Sequence, residues 1–233
     1  MGHAAVLIGL ALAWEFGAQQ GWVSALLFPP PSTILVWLGE SVWSGEMLEH
    51  LAASGGRLII GVAIGAGLGT VAGLSMGLQP RLRAALDPVI AAIHPLPKVA
   101  MLPLFLVILG FGEPARLLPI AMVAFFPMAI AGTTAVRGID PLLWDVAHNY
   151  GAGPWMLMRR VVLPGTRPML LAGFRLSLNA AVIVMVSVEM LTGTDGLGAA
   201  IWQSWQTMRV EQLYGTLVVV ALLGILVNKA LGR

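Results

Sequence analysis

Polar residues are sparse in this chain and fall in clumps, and the long apolar runs between the clumps define its elements. Ala4 to Trp14 is the first run, extendable to Leu27 across the interruptions Glu15, Gln19 and Gln20. Arg57 to Leu78, Val89 to Leu109, Leu117 to Val136, Met169 to Leu191 and Leu213 to Leu231 follow. The later runs reach or approach the roughly 20 apolar residues a helix needs to cross a bilayer. The pattern therefore predicts an all-α integral membrane protein with about six transmembrane helices, since a helix satisfies its own backbone groups in lipid. Between the first two spans, Phe28-Pro29-Pro30-Pro31-Ser32 cannot be helical, because each proline lacks a donor and restricts the residue before it. Ser32 is expected to cap a short helix whose Trp37 and Trp43 suit the membrane interface.

Two spans carry unusual residues. Gly61, Gly65, Gly69, Gly73 and Gly77 follow one another at four-residue intervals. They leave one helix face bare, where a neighbouring helix can approach closely; a backbone-lined solute path is the other use of such a face. The third span contains His94-Pro95-Leu96-Pro97-Lys98 and Pro103. Its prolines open the helical ladder, which is tolerated only where protein or a water-filled cavity satisfies the freed carbonyls. Ionisable groups at such a place are candidates for function. Lys98 could attract an anion, reach the interface or pair with Glu189, while for His94 an ordinary hydrogen-bonded interior role competes. With Asn179 and Glu189 of the fifth span they make up the candidate solute pathway, although a loop-pinning role also suits Glu189, near the end of its span.

Composition narrows the function. Hydrophobic residues are 58% and charged residues 10% of the chain, which leaves no room for a sizeable soluble domain. Scattered basic residues and a net charge of +2 argue against nucleic acid as a partner. Without cysteine there are neither disulfides nor thiolate metal sites. Neither lysine, Lys98 or Lys229, stands in a Gly-Lys-Ser/Thr phosphate loop, so the chain does not hydrolyse ATP by that route. The histidines His3, His50, His94 and His148 are far apart and form no zinc pair. No catalytic or metal-binding constellation emerges, and the energy of any driven transport must come from elsewhere. The first apolar run has no basic residue ahead of it and no clean small-residue cleavage site, which reads as a retained helix rather than a signal peptide.

Charge also sets orientation. If the chain starts inside and crosses six times, Arg81, Arg83, Arg137, Arg159, Arg160, Arg167, Lys229 and Arg233 lie inside. Only Arg116 and Arg209 lie outside, beside Glu46, Glu49, Glu113, Asp195 and Glu211. This asymmetry places both termini, and the polar stretch Asp140 to Pro168, in the cytoplasm.

That stretch is too polar and too broken to span. Asp140 is a good N-cap and Pro141 a good first helical residue, so a helix is expected through Leu142 to about Tyr150, stopping at Gly151. Gly153-Pro154 should restart a second helix, closed by Pro164 and Gly165. The result is a cytoplasmic hairpin over residues 140–165. Within it Asp145, Ala147, Gly151, Val161, Leu163 and Pro164 read acid-x-Ala, three residues, Gly, nine residues, aliphatic-x-Leu-Pro. This resembles the "EAA" loop of bacterial ABC importer permeases, with Asp145 for Glu, Val146 for the first Ala and Val161 for Ile. Thr192-Gly193-Thr194-Asp195-Gly196-Leu197-Gly198 likewise resembles the family's Gly-Leu-Gly signature after the fifth helix.

The resemblance implies a type I ABC importer permease fold, one transmembrane domain over residues 1–233 with its core at 45–233, in the bacterial plasma (inner) membrane. It implies a non-catalytic chain that binds no cofactor, with ATP and Mg held by a separate ATPase. Asp145, Ala147, His148, Gly151, Ala152, Leu163 and Pro164 would face that ATPase. The implied partners are two cytoplasmic ATPase subunits, a second permease copy, an extracytoplasmic solute-binding protein and the surrounding lipid. The order of features resembles the subgroup serving nitrate, sulfonates such as taurine, bicarbonate and related solutes. An anion is preferred, because Lys98 is the only lysine inside a span. A stand-alone secondary transporter or channel is the alternative, against which stands the absence of a recognisable inverted repeat.

Overall fold

The computed structural model describes the backbone of residues 2–231 and the side chains of residue 6 and residues 8–229. Arg233, counted above among the inner charges, and the side chain of His3 lie outside the described residues. The elements are α1 (Gly2–Gln19), α2 (Pro31–Ser44), α3 (Glu46–Leu78), α4 (Pro80–Ile93), a 3₁₀ turn (Val99–Met101), α5 (Leu102–Leu109), α6 (Glu113–Arg137), α7 (Pro141–Asn149), α8 (Pro154–Leu157), a π-helical turn (Met158–Val162), α9 (Leu163–Thr192), α10 (Leu197–Gln206) and α11 (Val210–Leu231). Four helical runs, Glu46–Leu78, Glu113–Arg137, Pro154–Thr192 and Val210–Lys229, are long and apolar enough to cross a membrane, and Val99–Leu109 is a shorter apolar one.

Several boundaries differ from the sequence expectation for identifiable reasons. The second span does not start at Arg57. Helix α3 begins at Glu46, whose acidic first turn, Glu46 and Glu49, suits the positive end of a helix. Pro80 opens α4 as its first residue, where a missing N–H costs nothing. Ser32 is not the cap of α2. Pro31 is the first helical residue, and both the N–H (2.9 Å) and the hydroxyl (2.7 Å) of Ser32 donate to the carboxylate of Glu15 in α1. A side chain 17 positions upstream thus does what local reading assigned to Ser32 itself.

The chain forms two compact units, residues 1–56 with 186–226 and residues 57–185 with 227–233. In the first, Trp14 packs on Tyr214 with ring centroids 5.5 Å apart, and the ring of Trp37 covers Gly215 so closely that a Cβ there would overlap it. In the second, α3 and α6 run parallel along a seam without side chains on the α3 side. A Cβ at Gly65, Gly69 or Gly73 would overlap the backbone carbonyls of Ala121, Phe125 and Ala129, while one at Gly61 would lie 2.6 Å from Ile120 Cγ2. Small residues let the two backbones approach until dispersion holds them, the contact that lipid cannot replace. At one end of the seam buried Arg57 of α3 grips Glu113 of α6 with two hydrogen bonds, Nε to Oε2 at 2.9 Å and Nη2 to Oε1 at 2.7 Å; Arg116 adds a third at 2.9 Å. Thr133 Oγ1 donates across the seam to the Gly73 carbonyl at 3.2 Å.

Candidate functional site

The other end of the seam leads into the hairpin. Asp140 caps α7 by accepting from the Leu142 N–H at 2.8 Å, and Pro141 occupies the first turn. The helix then stops in a Schellman turn. Gly151 sits in the left-handed region at φ +68°, its N–H donates to the His148 carbonyl at 2.9 Å, and the Ala152 N–H donates to the Ala147 carbonyl at 2.9 Å. The Ala-x3-Gly spacing thereby acquires a geometric meaning, because Ala147 supplies the terminal carbonyl and Gly151 the residue that can turn left-handed. His148 turns its ring back along the helix, with Nδ1 2.7 Å from the Trp144 carbonyl.

The second half of the hairpin corrects the expectation that Pro164 and Gly165 close it. Residues Pro154–Thr192 form one helical run. The π turn over Met158–Val162 makes this possible: the Leu163 N–H reaches five residues back to the Met158 carbonyl just before the proline that lacks a donor. Thr166, fully buried, adds a hydroxyl bond to the Val162 carbonyl at 2.8 Å. The hairpin is therefore continuous with the membrane helix that leaves it.

Its underside is anchored. Leu74 of α3, Val136 of α6, Ile139 and Val162 form a buried cluster against which Trp144, Met158 and Val161 pack. Beside it lies an open recess of about 460 Å³ lined by Gly77, Val136, Arg137, Trp144 and Asp145. The outer side is the reverse. Leu142 (63% exposed), Tyr150 (87%), Trp155 (76%), Leu143, Val146 and Met156 present apolar surface with nothing of this chain over it. Apolar patches of this kind are surfaces for contact with another protein or with a membrane. Asp145, His148, Gly151, Leu163 and Pro164 are exposed, while Ala147 and Ala152 are half-buried. Tyr150, Trp155 and the underside residue Trp144 were not singled out from the sequence. The available signal was that Leu142, Leu143, Trp144 and Val146 are more apolar residues than one buried face of a nine-residue helix can use.

The candidate pathway residues divide. Helix α4 ends at Ile93, and the chain reaches α5 through a turn and the 3₁₀ segment. Lys98, only 7% exposed, donates its ammonium to the carbonyls of Ile93, at 3.2 Å, and His94, and lies 4.8 Å from the centroid of Phe126. A cation at a helix C-terminus is favoured by the helix dipole, and here it shares the Ile93 carbonyl with the Leu96 N–H, which donates to it at 3.1 Å. The His94 ring lies against the same Phe126 ring, tilted by 47° with centroids 5.4 Å apart. Asn179 is exposed on α9, one turn from Arg175 and two residues from Ser177, which donates to the Ala124 carbonyl of α6 at 2.9 Å. Glu189 belongs to the other unit and is fully buried.

The described residues form a polytopic helical membrane protein in which a close-packed glycine seam between α3 and α6 runs into a helical hairpin. The chain belongs to the family of binding-protein-dependent transport system inner membrane components, whose model matches residues 65–232. It is the membrane-spanning permease of an ABC importer, a non-catalytic subunit of the bacterial inner membrane, and ATP hydrolysis in this family falls to separate subunits. The chain is 33% identical over 220 residues to the Bacillus subtilis protein that carries the name aliphatic sulfonates transport permease protein SsuC, covering 94% of this chain and 79% of that one. It is 29% identical over 236 residues to the taurine transport system permease protein TauC of Escherichia coli, covering 99% and 85%. At the same 29%, over 201 residues, it is similar to the riboflavin transport system permease protein RibX of Chloroflexus aurantiacus, covering 86% and 75%. Its fold is similar to that of a chain in a solved inward-facing structure of the MetNI methionine ABC transporter, with a TM-score of 0.63 at 23% identity, covering 85% of this chain and 95% of that one.

Proposed function

We propose that the hairpin 140–165 is the face on which a cytoplasmic ATPase docks, and that the solute moved is a small sulfonate of the taurine class. One observation carries the first part: the hairpin turns Leu142, Tyr150 and Trp155 outward while Trp144, Met158 and Val161 hold its underside to the ends of α3 and α6. Force applied to the outer face is then delivered to packed helices rather than absorbed by a loose loop. Asp145, Ala147, His148, Gly151, Ala152, Leu163 and Pro164 complete this face. The solute rests on the relatives named for taurine and aliphatic sulfonates, and the similarly distant riboflavin permease is the competing outcome.

Two copies of this chain pair with two ATPase subunits that hold ATP and Mg, and an extracytoplasmic binding protein delivers the solute. Closure of the ATPases around ATP shifts the packed helices between inward and outward access. Lys98 and His94 at Phe126, with Asn179, line the route, Lys98 contributing positive charge for an anion. The test is purification of the complex in mild detergent, followed by reconstitution and uptake of labelled taurine. Co-purification of a P-loop ATPase in equal amount, lost on Trp155→Ala combined with Leu142→Ala, is the expected result. ATPase retention by that variant would reject the docking face. Uptake of riboflavin without taurine would reject the sulfonate assignment.

A further inference from the structure

Glu189 is a glutamate with no exposed surface near the end of an apolar helix, and its surroundings say what it does. Ser54 of α3, also fully buried, donates its hydroxyl to the carboxylate, with oxygens at 2.8 and 2.9 Å. The Gly198 N–H donates to Oε2 at 3.0 Å, and the Leu197 N–H donates to Ser54 Oγ at 2.8 Å. Leu197 and Gly198 are the first two residues of α10, so the carboxylate and the hydroxyl together cap that helix from outside its own sequence. A negative charge at a helix N-terminus is also favoured by the dipole.

The two glycines of Gly196-Leu197-Gly198 are shaped to this contact. Gly196 has φ +98°, and a Cβ on it would overlap the Glu189 carboxyl group. A Cβ on Gly198 would overlap the Val186 carbonyl and lie 2.7 Å from Glu189 Cβ. The turn between α9 and α10 is held at its other side too, where the Gly193 N–H donates to the Glu189 carbonyl at 2.9 Å and Gln203 Nε2 donates to the Gly193 carbonyl at 3.1 Å. Helix ends α3, α9 and α10 thus meet on one side chain, on the side of the membrane that the charge asymmetry places outside.

We propose that Glu189 is a positioning residue of the transport cycle: with Ser54 it fixes the outer turn Gly193–Gly198 and the start of α10, and it does so without touching the solute. This rests on the importer assignment but not on the identity of the solute.

The chain has no cysteine, so a single introduced thiol reports on the turn without background. Ala200→Cys places that thiol on α10 at a position with 1% exposure, where a membrane-impermeant maleimide applied from outside reacts slowly. The assembled transporter carrying Ala200→Cys is compared with and without Glu189→Gln, which removes the charge and leaves one acceptor oxygen where the carboxylate offered two to Ser54 and the Gly198 N–H. Labelling per inserted molecule is expected to rise about tenfold as α10 loses its cap. In vesicles, maximal taurine uptake falls while KM changes by less than about twofold, the signature of a residue remote from solute. Ser54→Ala moves both readouts in the same direction, with labelling up about threefold, because one hydrogen-bond partner is lost. A raised KM with unchanged labelling would put the carboxylate on the solute and overturn the proposal, as would unchanged labelling with unchanged uptake. If Glu189→Gln does not accumulate in the membrane, Ser54→Ala decides alone by the same criteria. Failure of the unsubstituted transporter to move taurine would reject the sulfonate assignment and leave the labelling comparison to judge Glu189.

Discussion

Glycine serves two opposite purposes at the two ends of α3's neighbourhood. In the seam, Gly65, Gly69 and Gly73 have ordinary helical backbones, and a side chain is excluded because the α6 backbone occupies its place. In the hairpin, Gly151 has open space around it, and a side chain is disfavoured because the backbone stands at φ +68°. The first region is a packing surface whose partner is already present. The second is a turn whose shape rests on backbone conformation alone. The seam therefore concerns whether the protein folds, and on the function proposed above the hairpin concerns whether the folded protein is coupled.

Substitutions can break that distinction. The largest effect is expected from Gly69→Leu, which forces a bulky side chain against the Phe125 carbonyl and Met128 Cβ; a cost of about 3 kcal/mol should empty the membrane of folded chain. Quantitative blotting and thermal unfolding in detergent measure it, and normal abundance would show that the seam tolerates separation. Next comes Gly151→Val, where a β-branched residue in the left-handed region is strained by roughly 1–2 kcal/mol. Abundance should stay normal while solute-dependent uptake drops about tenfold, because the Schellman turn opens and the outer face distorts. Gly151→Asn sharpens the point, since asparagine tolerates that backbone and should retain most uptake. If Asn fails as badly as Val, space for the ATPase rather than turn geometry is what Gly151 provides. The smallest effect belongs to Asp140→Ala, which removes the cap of α7 at a cost of about 1 kcal/mol. A modest fall in uptake, with a faster hydrogen exchange at Leu142, is the expected reading.

The hairpin's first helix was legible because its signals are local: Asp140 and Pro141 at the start and Gly151 at the stop act within a few residues of themselves. The end of the second helix was not. Pro164 does remove a donor, but a π turn whose hydrogen bond reaches five residues back absorbs the break, beside Val162 and Thr166, which are both buried. The cap of α2 illustrates the same limit, because Ser32 has the right chemistry for an N-cap while the donor-accepting group is Glu15 on another helix. For Lys98, sequence reasoning left an anion, the interface and Glu189 open; the structure adds that its ammonium donates to the Ile93 and His94 carbonyls at the end of α4.

Taken by itself, the sequence determined that this is a polytopic helical membrane protein and where its helical hairpin lies, and its charge asymmetry supplied an expected orientation. Those properties follow from apolar run length, charge asymmetry and turn chemistry, all of which act over short stretches of chain. Only the tertiary structure decided that α6 is the helix lying on the glycine face of α3, that Trp144 faces in while Trp155 faces out, and that Ser54 reaches Glu189 across 135 residues. Such pairings are chosen by which surfaces meet once the helices pack, and spacing along one helix carries no record of its partner.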